Sequence, residues 1–479
     1  MIMPGPLLIA PPMPLDQSEA ARVTHTRLRR RMLYGLWRED LGARMRQSLG
    51  SVRAEAIGEP DMSANPFEAT CASASALYDR LPRIRQPDGA SLAAMEGWTG
   101  RAMLYPLMAR LQRDVLGMRE ALLRVSVHVV QGVPQVTYTP TYADMVLLEA
   151  DPRDPARPIT VGEYVARPHP QSGQQIWTVD LWSIGGTPRH QVLDEHGTDI
   201  SAAYGLPDGG LAGEEYPLYR QDGRPILPYA TYHAAITGHL LDPYYRQELV
   251  QGSLNVGVLW TFFSHCIRAA GWPQRWISGG YVAGAAPEGG IRRVVADPAT
   301  ILEILRDPSF EGQVTAGQWG SASDPKAVAD AIGLYEQRFT GYHEIGAEFW
   351  RRSADPRSGI ALTLDRTGRI EAQRRYGPIF APVDAEVLSI TATAINRAVG
   401  APLVAEDGWA VEHTALAPPL EERAADRLEA LEMYRYGLLS RAEARARITG
   451  EDLVAAAAAV ATFEAPADTP AVRGGVDDG

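Results

Sequence analysis

Residues 324–352 read DPKAVADAIGLYEQRFTGYHEIGAEFWRR. Asp324 is an N-cap residue and Pro325 suits the first helical position, so a helix starts here. Val328, Ile332, Tyr335, Phe339, Tyr342 and Phe349 recur at helical spacing as one apolar stripe. Lys326, Asp330, Gln337, Glu344 and Glu348 share the opposite side, a polar and mostly acidic face. At about 1.5 Å per residue the helix would be roughly 43 Å long. Two readings stay open. One is an amphipathic helix on the outside of a domain. The other is a helix that packs sideways against copies of itself and shows its acidic face to a channel.

The 479 residues suffice for two or three domains with cores of their own. With 45% apolar and 22% charged residues, the composition is that of a soluble globular protein. A net charge of −12 excludes a protein that grips nucleic acid through a basic surface. Lys326 is the sole lysine. Cys71 and Cys266 stand far apart, with no Cys or His at metal-ligand spacing, so neither a zinc site nor a disulfide framework is expected, and a reducing environment fits. Residues 1–16, MIMPGPLLIAPPMPLD, lack a basic n-region and read as an extended arm rather than a signal peptide.

Outward from the opening stretch, the chain reads as α+β. Residues 18–50 have one apolar face for a helix, with Arg27, Arg29, Arg30 and Arg31 as a basic run. That run is either a solvated face pairing with acidic neighbours or, as the alternative, a nucleic-acid contact. Residues 91–117 are helical with a break near Pro106. Residues 124–232 alternate in short runs such as 122–130 (LLRVSVHVV) and 175–184 (QIWTVDLWSI), separated by turns at Gly185-Gly186 and Gly209-Gly210, and predict a largely antiparallel sheet region. Residues 243–271 form a second long helix, uncharged over 249–267 but carrying Gln251, Ser253, Asn255, Ser264 and His265. It reads as buried between protein neighbours, not in a membrane, and Gly252 and Gly257 would allow close helix approach.

Residues 272–323 are a small α/β insertion, with a strand at IRRVVAD (291–297) and a short helix at PATILEILRD (298–307). A polar loop follows residue 352, then a third long helix over 369–399 that Pro378 and Pro382 should kink or break. Residues 420–448 give two helices, with Gly437 ending the first. The tail from Pro466 is acidic, Gly- and Pro-rich, and reads as disordered.

Enzymatic signatures are missing. No Gly-Lys-Ser/Thr phosphate loop, dinucleotide fingerprint, HExxH or Gly-x-Ser-x-Gly occurs. No catalytic residue, cofactor or metal is expected. A soluble α+β enzyme of hydrolase type, without a recognisable motif, stays open as the alternative function.

The order of parts resembles the portal proteins of tailed bacteriophages, the head-to-tail connector family. Residues 168–184 (PHPQSGQQIWTVDLWSI) and 222–255 (DGRPILPYATYHAAITGHLLDPYYRQELVQGSLN) look like a wing leading into a first stem helix. Residues 353–380 (SADPRSGIALTLDRTGRIEAQRRYGPIF) resemble the family's Ser-Gly-x-Ala-Leu element and the helix after it. The similarity spans about residues 91–450.

The resemblance implies an N-terminal arm and wing (1–242), a first stem helix (243–271), a clip (272–323) and a second, channel-lining stem helix (324–352). It further implies a tunnel loop (353–368), a kinked helix with a wing return (369–419), a crown (420–465) and a disordered tail (466–479). Lys326, Asp330, Gln337, Glu344 and Glu348 would then line the channel. Asp355, Arg357 and Ser358 would lie in the tunnel loop, and Trp272, Trp276 and Trp319 at the clip interface.

It also implies a homo-oligomeric ring, dodecameric, at one capsid vertex of a virion assembled in the host cytoplasm. Double-stranded DNA would pass through without sequence specificity. The expected partners are the packaging ATPase (terminase), the head–tail adaptor and the major capsid protein, with no membrane and no cofactor. Twelve chains at −12 each carry −144. An acidic wall repels phosphate, so DNA would slide without sticking.

Overall fold

The computed structural model describes residues 17–241, 247–271, 274–278, 280–282, 304–306, 311–313, 315–319, 324–342, 359–413, 420–449 and 453–464. The fold is mixed α+β, and the chain divides into two units. Unit 1 is Met1–Pro356 with Glu371–Thr414, and unit 2 is Arg357–Ile370 with Ala415–Gly479.

Unit 1 opens with helices α1 (Gln17–Leu33), α2 (Arg38–Leu49), α3 (Ser51–Ile57) and α4 (Pro66–Ala74). The single helix expected over 18–50 is thus two. Gly35, at φ +73°, ends α1 in a left-handed turn, and Leu36 N–H returns to Arg31 O at 2.7 Å. The turn seats Trp37 fully in the core. The expected solvated arginine face is also corrected. Arg29 and Arg30 are buried: Arg29 donates to Gly117 O at 3.1 Å, and Arg30 lies 2.8 Å from the buried Asp144 carboxylate. Pairing with an acid was legible; burial was not, because α1 is covered by elements far away in sequence.

Strand β1 (Arg83–Arg85) precedes α5 (Gly89–Arg101) and α6 (Leu104–Met118). Asp88 caps α5 by accepting from the Ala90 and Ser91 amides. The break between α5 and α6 falls at Ala102-Met103, just before the expected Pro106.

The sheet region is antiparallel as expected. Strands β2 (Glu120–Val130), β3 (Val133–Tyr142), β4 (Val146–Asp151), β5 (Asp154–Pro168), β6 (Gln175–Ser183), β7 (Arg189–Asp194), β8 (Leu211–Ala212) and β9 (Tyr229–His233) form two sheets. Their orders are β3-β2-β9 and β4-β5-β6-β7-β8. The β2–β3 hairpin turns on Gln131 and Gly132, both at positive φ, the backbone of a twist-matched two-residue turn.

In the larger sheet His190 stacks on Trp182 with ring centroids 3.7 Å apart, and desolvation pushes its pKa from 6.5 down to about 4. A depressed histidine pKa means the folded state binds the proton less well than the unfolded one. The stability linked to His190 is therefore present above about 6.5 and is lost as pH falls toward about 4. His190→Phe, which keeps the stack, should flatten the pH dependence of urea unfolding in that window. An unchanged pH profile would show that His190 does not carry it.

Helix α7 (Glu248–Gly271) leads into four short strands: β10 (Gln274–Ser278), β11 (Gly280–Val282), β12 (Ile304–Arg306) and β13 (Thr315–Trp319). β10 pairs with β13 and β11 with β12, both antiparallel. Ile304–Arg306 was expected within a short helix but is a strand. Pairing with Gly280–Val282 satisfies its backbone, and its Ile and Leu fit a ladder as well as a helix face. The strand expected at 291–297 lies outside the described residues.

Helix α8 (Pro325–Tyr342) follows, then α9 (Gly359–Val399), the longest element, and β14 (Ala410–Glu412), which pairs with β1. Two expectations about α9 change. It begins at Gly359, so the loop expected to reach residue 368 is helical over its last ten positions. It also runs unbroken through Pro378 and Pro382. A proline inside a helix costs about 3 kcal/mol. The α9 segment after Glu371 buries Phe380, Val387, Leu388 and Ile390 in the main core, and that burial offsets the lost backbone bonds. Among the described residues one helical span, Arg369–Val399, is long and apolar enough to cross a membrane, and most of it is buried inside protein.

Unit 2 holds the start of α9 and helices α10 (Leu420–Arg435), α11 (Arg441–Thr449) and α12 (Leu453–Glu464). Gly437, at φ +73°, ends α10 as expected, with Leu438 N–H returning to Met433 O at 2.8 Å. Ser440 and Glu443 then form a reciprocal capping box: Glu443 N–H donates to Ser440 Oγ at 3.2 Å and Ser440 N–H to Glu443 Oε2 at 2.7 Å. α12 was not anticipated. Its alanine-rich run, read next to an acidic tail, has helix propensity but little amphipathic signal. Residues 466–479 lie outside the described residues.

Candidate functional site

The candidate site is the α7–α8 pair and the insertion it carries. α8 starts as its sequence specifies: Asp324 Oδ1 accepts the Lys326 amide at 2.9 Å, with Pro325 at the first position. Ile332 and Phe339 are buried, and Val328 and Tyr335 are half-buried. The apolar stripe therefore faces protein, against α7. Contacts of residue 252 with 339 and of 255 with 335 make the two helices antiparallel.

Two glycines set the packing of α7. A Cβ on Gly252 would stand 2.2 Å from Cε2 of Phe339, so only glycine admits that ring. A Cβ on Gly257 would stand 2.9 Å from Cδ1 of Leu41 and 3.1 Å from Trp37. The close approach expected at both positions is present.

The polar residues of α7 that argued against a lipid environment have protein partners. Arg44 donates to Asn255 Oδ1 at 3.1 and 2.9 Å, and Asn255 Nδ2 donates to Tyr335 OH at 3.2 Å. Ser264 Oγ donates to Asp61 Oδ2 at 2.9 Å, and bonds from Ser63 first and Ser264 second hold that carboxyl below the usual range. Trp260 Nε1 donates to Glu336 Oε1 at 2.7 Å, so this carboxylate belongs to the helix interface.

The insertion closes on itself. β10 leaves α7 and β13 returns toward α8, paired in register from Gln274 opposite Trp319 to Ser278 opposite Thr315. Trp276 and Trp319 thus sit on the paired base strands, with Trp276 opposite Gly317. Trp272 lies outside the described residues.

The polar face of α8 is partly visible. Lys326, Asp330 and Gln337 are all on the accessible side, as expected. Glu344 and Glu348 lie outside the described residues, as do Asp355, Arg357 and Ser358. The described part of the face is not mainly acidic, since Lys326 lies one turn before Asp330 on it. The acidic character expected of the whole face rests on Glu344 and Glu348.

No family model matches the chain, and no curated protein matches it. The solved structures similar to it include a chain from the "Virion of native gene transfer agent (GTA) particle", at 15% identity and a TM-score of 0.35, covering 83% of this chain and 96% of that one. A likeness of that extent assigns neither family nor function.

Sequence reasoning missed the buried polar clusters. Asp114 accepts from Tyr34 and Tyr142 at 2.8 and 3.0 Å, and burial raises its carboxyl above the usual range. Burial likewise raises Asp144, opposed by Arg30 and Arg27. A third cluster surrounds Asp384. None has a local sequence signature, because the partners lie tens to hundreds of positions apart. Unit 1 also has a cleft of about 430 Å³ walled by Arg157, Arg220, Arg224, Glu386 and Asp407 over an Ile-, Leu- and Pro-rich floor. Its charges largely cancel, since Arg220 pairs with Asp407 and Arg224 with Asp222.

Proposed function

We propose that this chain is a portal protein: a ring at one capsid vertex of a tailed-phage-like particle, through which DNA is packaged and ejected. The observation that carries the reading is the antiparallel α7–α8 pair, closed at one end by a strand-paired insertion. Such a helical stalk with a small β-rich head suits a stem and clip. In the ring, Lys326, Asp330, Gln337, Glu344 and Glu348 face the channel, and Asp355, Arg357 and Ser358 form the tunnel loop. Trp272, Trp276 and Trp319 serve the docking of the head–tail adaptor and the packaging ATPase, because large aromatics favour interfaces. The major capsid protein holds the ring in the virion. The chain itself performs no catalysis and needs no cofactor.

A closed cyclic assembly requires that each chain present two complementary surfaces. Mass photometry of the purified chain without detergent should show a species about an order of magnitude heavier than the 52.1 kDa protomer, and negative-stain images should show rings. A stable monomer at micromolar concentration in all salts would overturn the reading, and solubility only in detergent would point to a membrane protein instead.

A further inference from the structure

Asp384, in the middle of α9, is nine-tenths buried and sits among three donors from three other segments. Tyr78 OH, from the helical turn Leu77–Asp79, lies 2.9 Å from both carboxylate oxygens. Tyr232 OH, from β9, donates to Oδ1 at 2.8 Å, and His413 Nε2 lies 2.9 Å from Oδ2. The His413 side chain is only 4% exposed, and its ring meets Tyr78 edge-on at 5.1 Å. A buried carboxylate bond of this kind is stronger than a bond between neutral groups.

The position of His413 gives the cluster its meaning. It is the last described residue before the connector 414–419 that leads to α10. Unit 1 and unit 2 are joined by the chain at three places, and two of them are α9, at Ile370/Glu371, and this connector, at Thr414/Ala415. Asp384 ties together the two segments that make those crossings.

Upstream of β14 the chain is fastened repeatedly. Asn396 binds Val404 O, Ser91 Oγ binds the Ala405 amide, Gln86 binds Asp407 O, and the Trp409 indole N–H donates to Ala405 O. β14 itself has a three-residue ladder with β1, and its Arg85–Glu412 ion pair is about half exposed at both ends. Exposed pairs contribute little. Beyond Trp409 the Val411 side chain is buried in the main core, and among the described residues of unit 1 the bond from His413 to Asp384 is the one buried polar side-chain fastening there.

We propose that Asp384 and His413 form a latch that sets where the chain departs from unit 1. With the latch closed, the chain leaves at His413. With it open, β14 detaches and the chain leaves at Trp409. The four residues 410–413 then lengthen the tether to unit 2 by roughly 13–14 Å when extended. α9 stays in place in both states, because its own side chains bury it in the main core.

Hydrogen exchange on the full-length chain tests this. In His413→Leu, amides of residues 410–413 should exchange about 10- to 100-fold faster while those of 387–396 are unchanged. Proteinase K should cut between residues 409 and 419 correspondingly faster. Tyr232→Phe removes a donor to the same carboxylate without touching β14, and should change exchange at 410–413 by less than about 3-fold. The proposal is overturned if His413→Leu leaves 410–413 unchanged, if it accelerates 387–396 equally, or if Tyr232→Phe loosens β14 as much. Should His413→Leu not fold, His413→Gln and His413→Asn decide. The longer amide reaches Asp384 and should keep β14 protected, whereas the shorter should not. Equal exchange in both would sink the latch.

Discussion

Gly252→Ala should loosen α8 from α7, although alanine is the better helix former. On propensity alone the change would stabilise α7 by about 1 kcal/mol. The new methyl would stand 2.2 Å from the ring of Phe339, and neither backbone can shift without disturbing the Asn255–Tyr335 bond beside it. Overpacking costs about 1–3 kcal/mol, so the clash wins. Phe339→Ala alone should cost about 3–5 kcal/mol through the cavity it leaves. The double variant Gly252→Ala/Phe339→Ala relieves the clash and should be no less stable than Phe339→Ala alone, a coupling of about 1–3 kcal/mol. Urea unfolding read by hydrogen exchange in α8 measures all three. If Gly252→Ala protects α8 more strongly than the parent, the helices do not rest on each other at this point.

The same pair of helices shows what a sequence can disclose. Local chemistry was legible: Asp324 and Pro325 start α8, Gly437 ends α10, and Ile332 and Phe339 fall on the buried side. These features depend on neighbours within one or two turns. The glycines of α7 were also legible as places of close approach, since absence of a side chain has few other uses in a helix interior. What a glycine packs against was not, because Phe339 and Leu41 come from opposite directions along the chain.

The prolines of α9 marked a kink that long-range packing overrides. The arginines of α1 suggested a solvated face, yet Asp144, more than a hundred residues later, draws Arg30 into the interior. Ile304–Arg306 shows a similar limit, since so short a segment takes the structure its partner imposes. For the candidate site, the sequence identified which face of α8 is polar but overstated how acidic its first half is. Lys326, one turn before it on the same face, offsets Asp330 there.

That charge distribution sharpens the second large effect. In the proposed ring, each acidic position of α8 repeats once per chain, so Asp330, Glu344 and Glu348 form three circles. Separations of fourteen and four residues keep them on one side of a 3.6-residue helix. Asp330→Arg/Glu344→Arg/Glu348→Arg changes these positions from −3 to +3 per chain. Such a wall would release condensed counterions when it meets phosphates, which the parent wall does not. The variant ring should retain double-stranded DNA at low salt, and log affinity should fall linearly with log salt at a slope near −0.9 per phosphate engaged. Glu344→Arg/Glu348→Arg should account for most of the effect, because Lys326, one turn from Asp330 on the same face, already offsets that circle. Retention is read by co-elution of labelled DNA with the ring across a salt series, with ring mass checked by mass photometry. Loss of the ring would place these side chains at a subunit contact. An intact ring that holds no DNA at any salt would place them on the outside, and the polar face of α8 would then be the solvated side of an ordinary amphipathic helix.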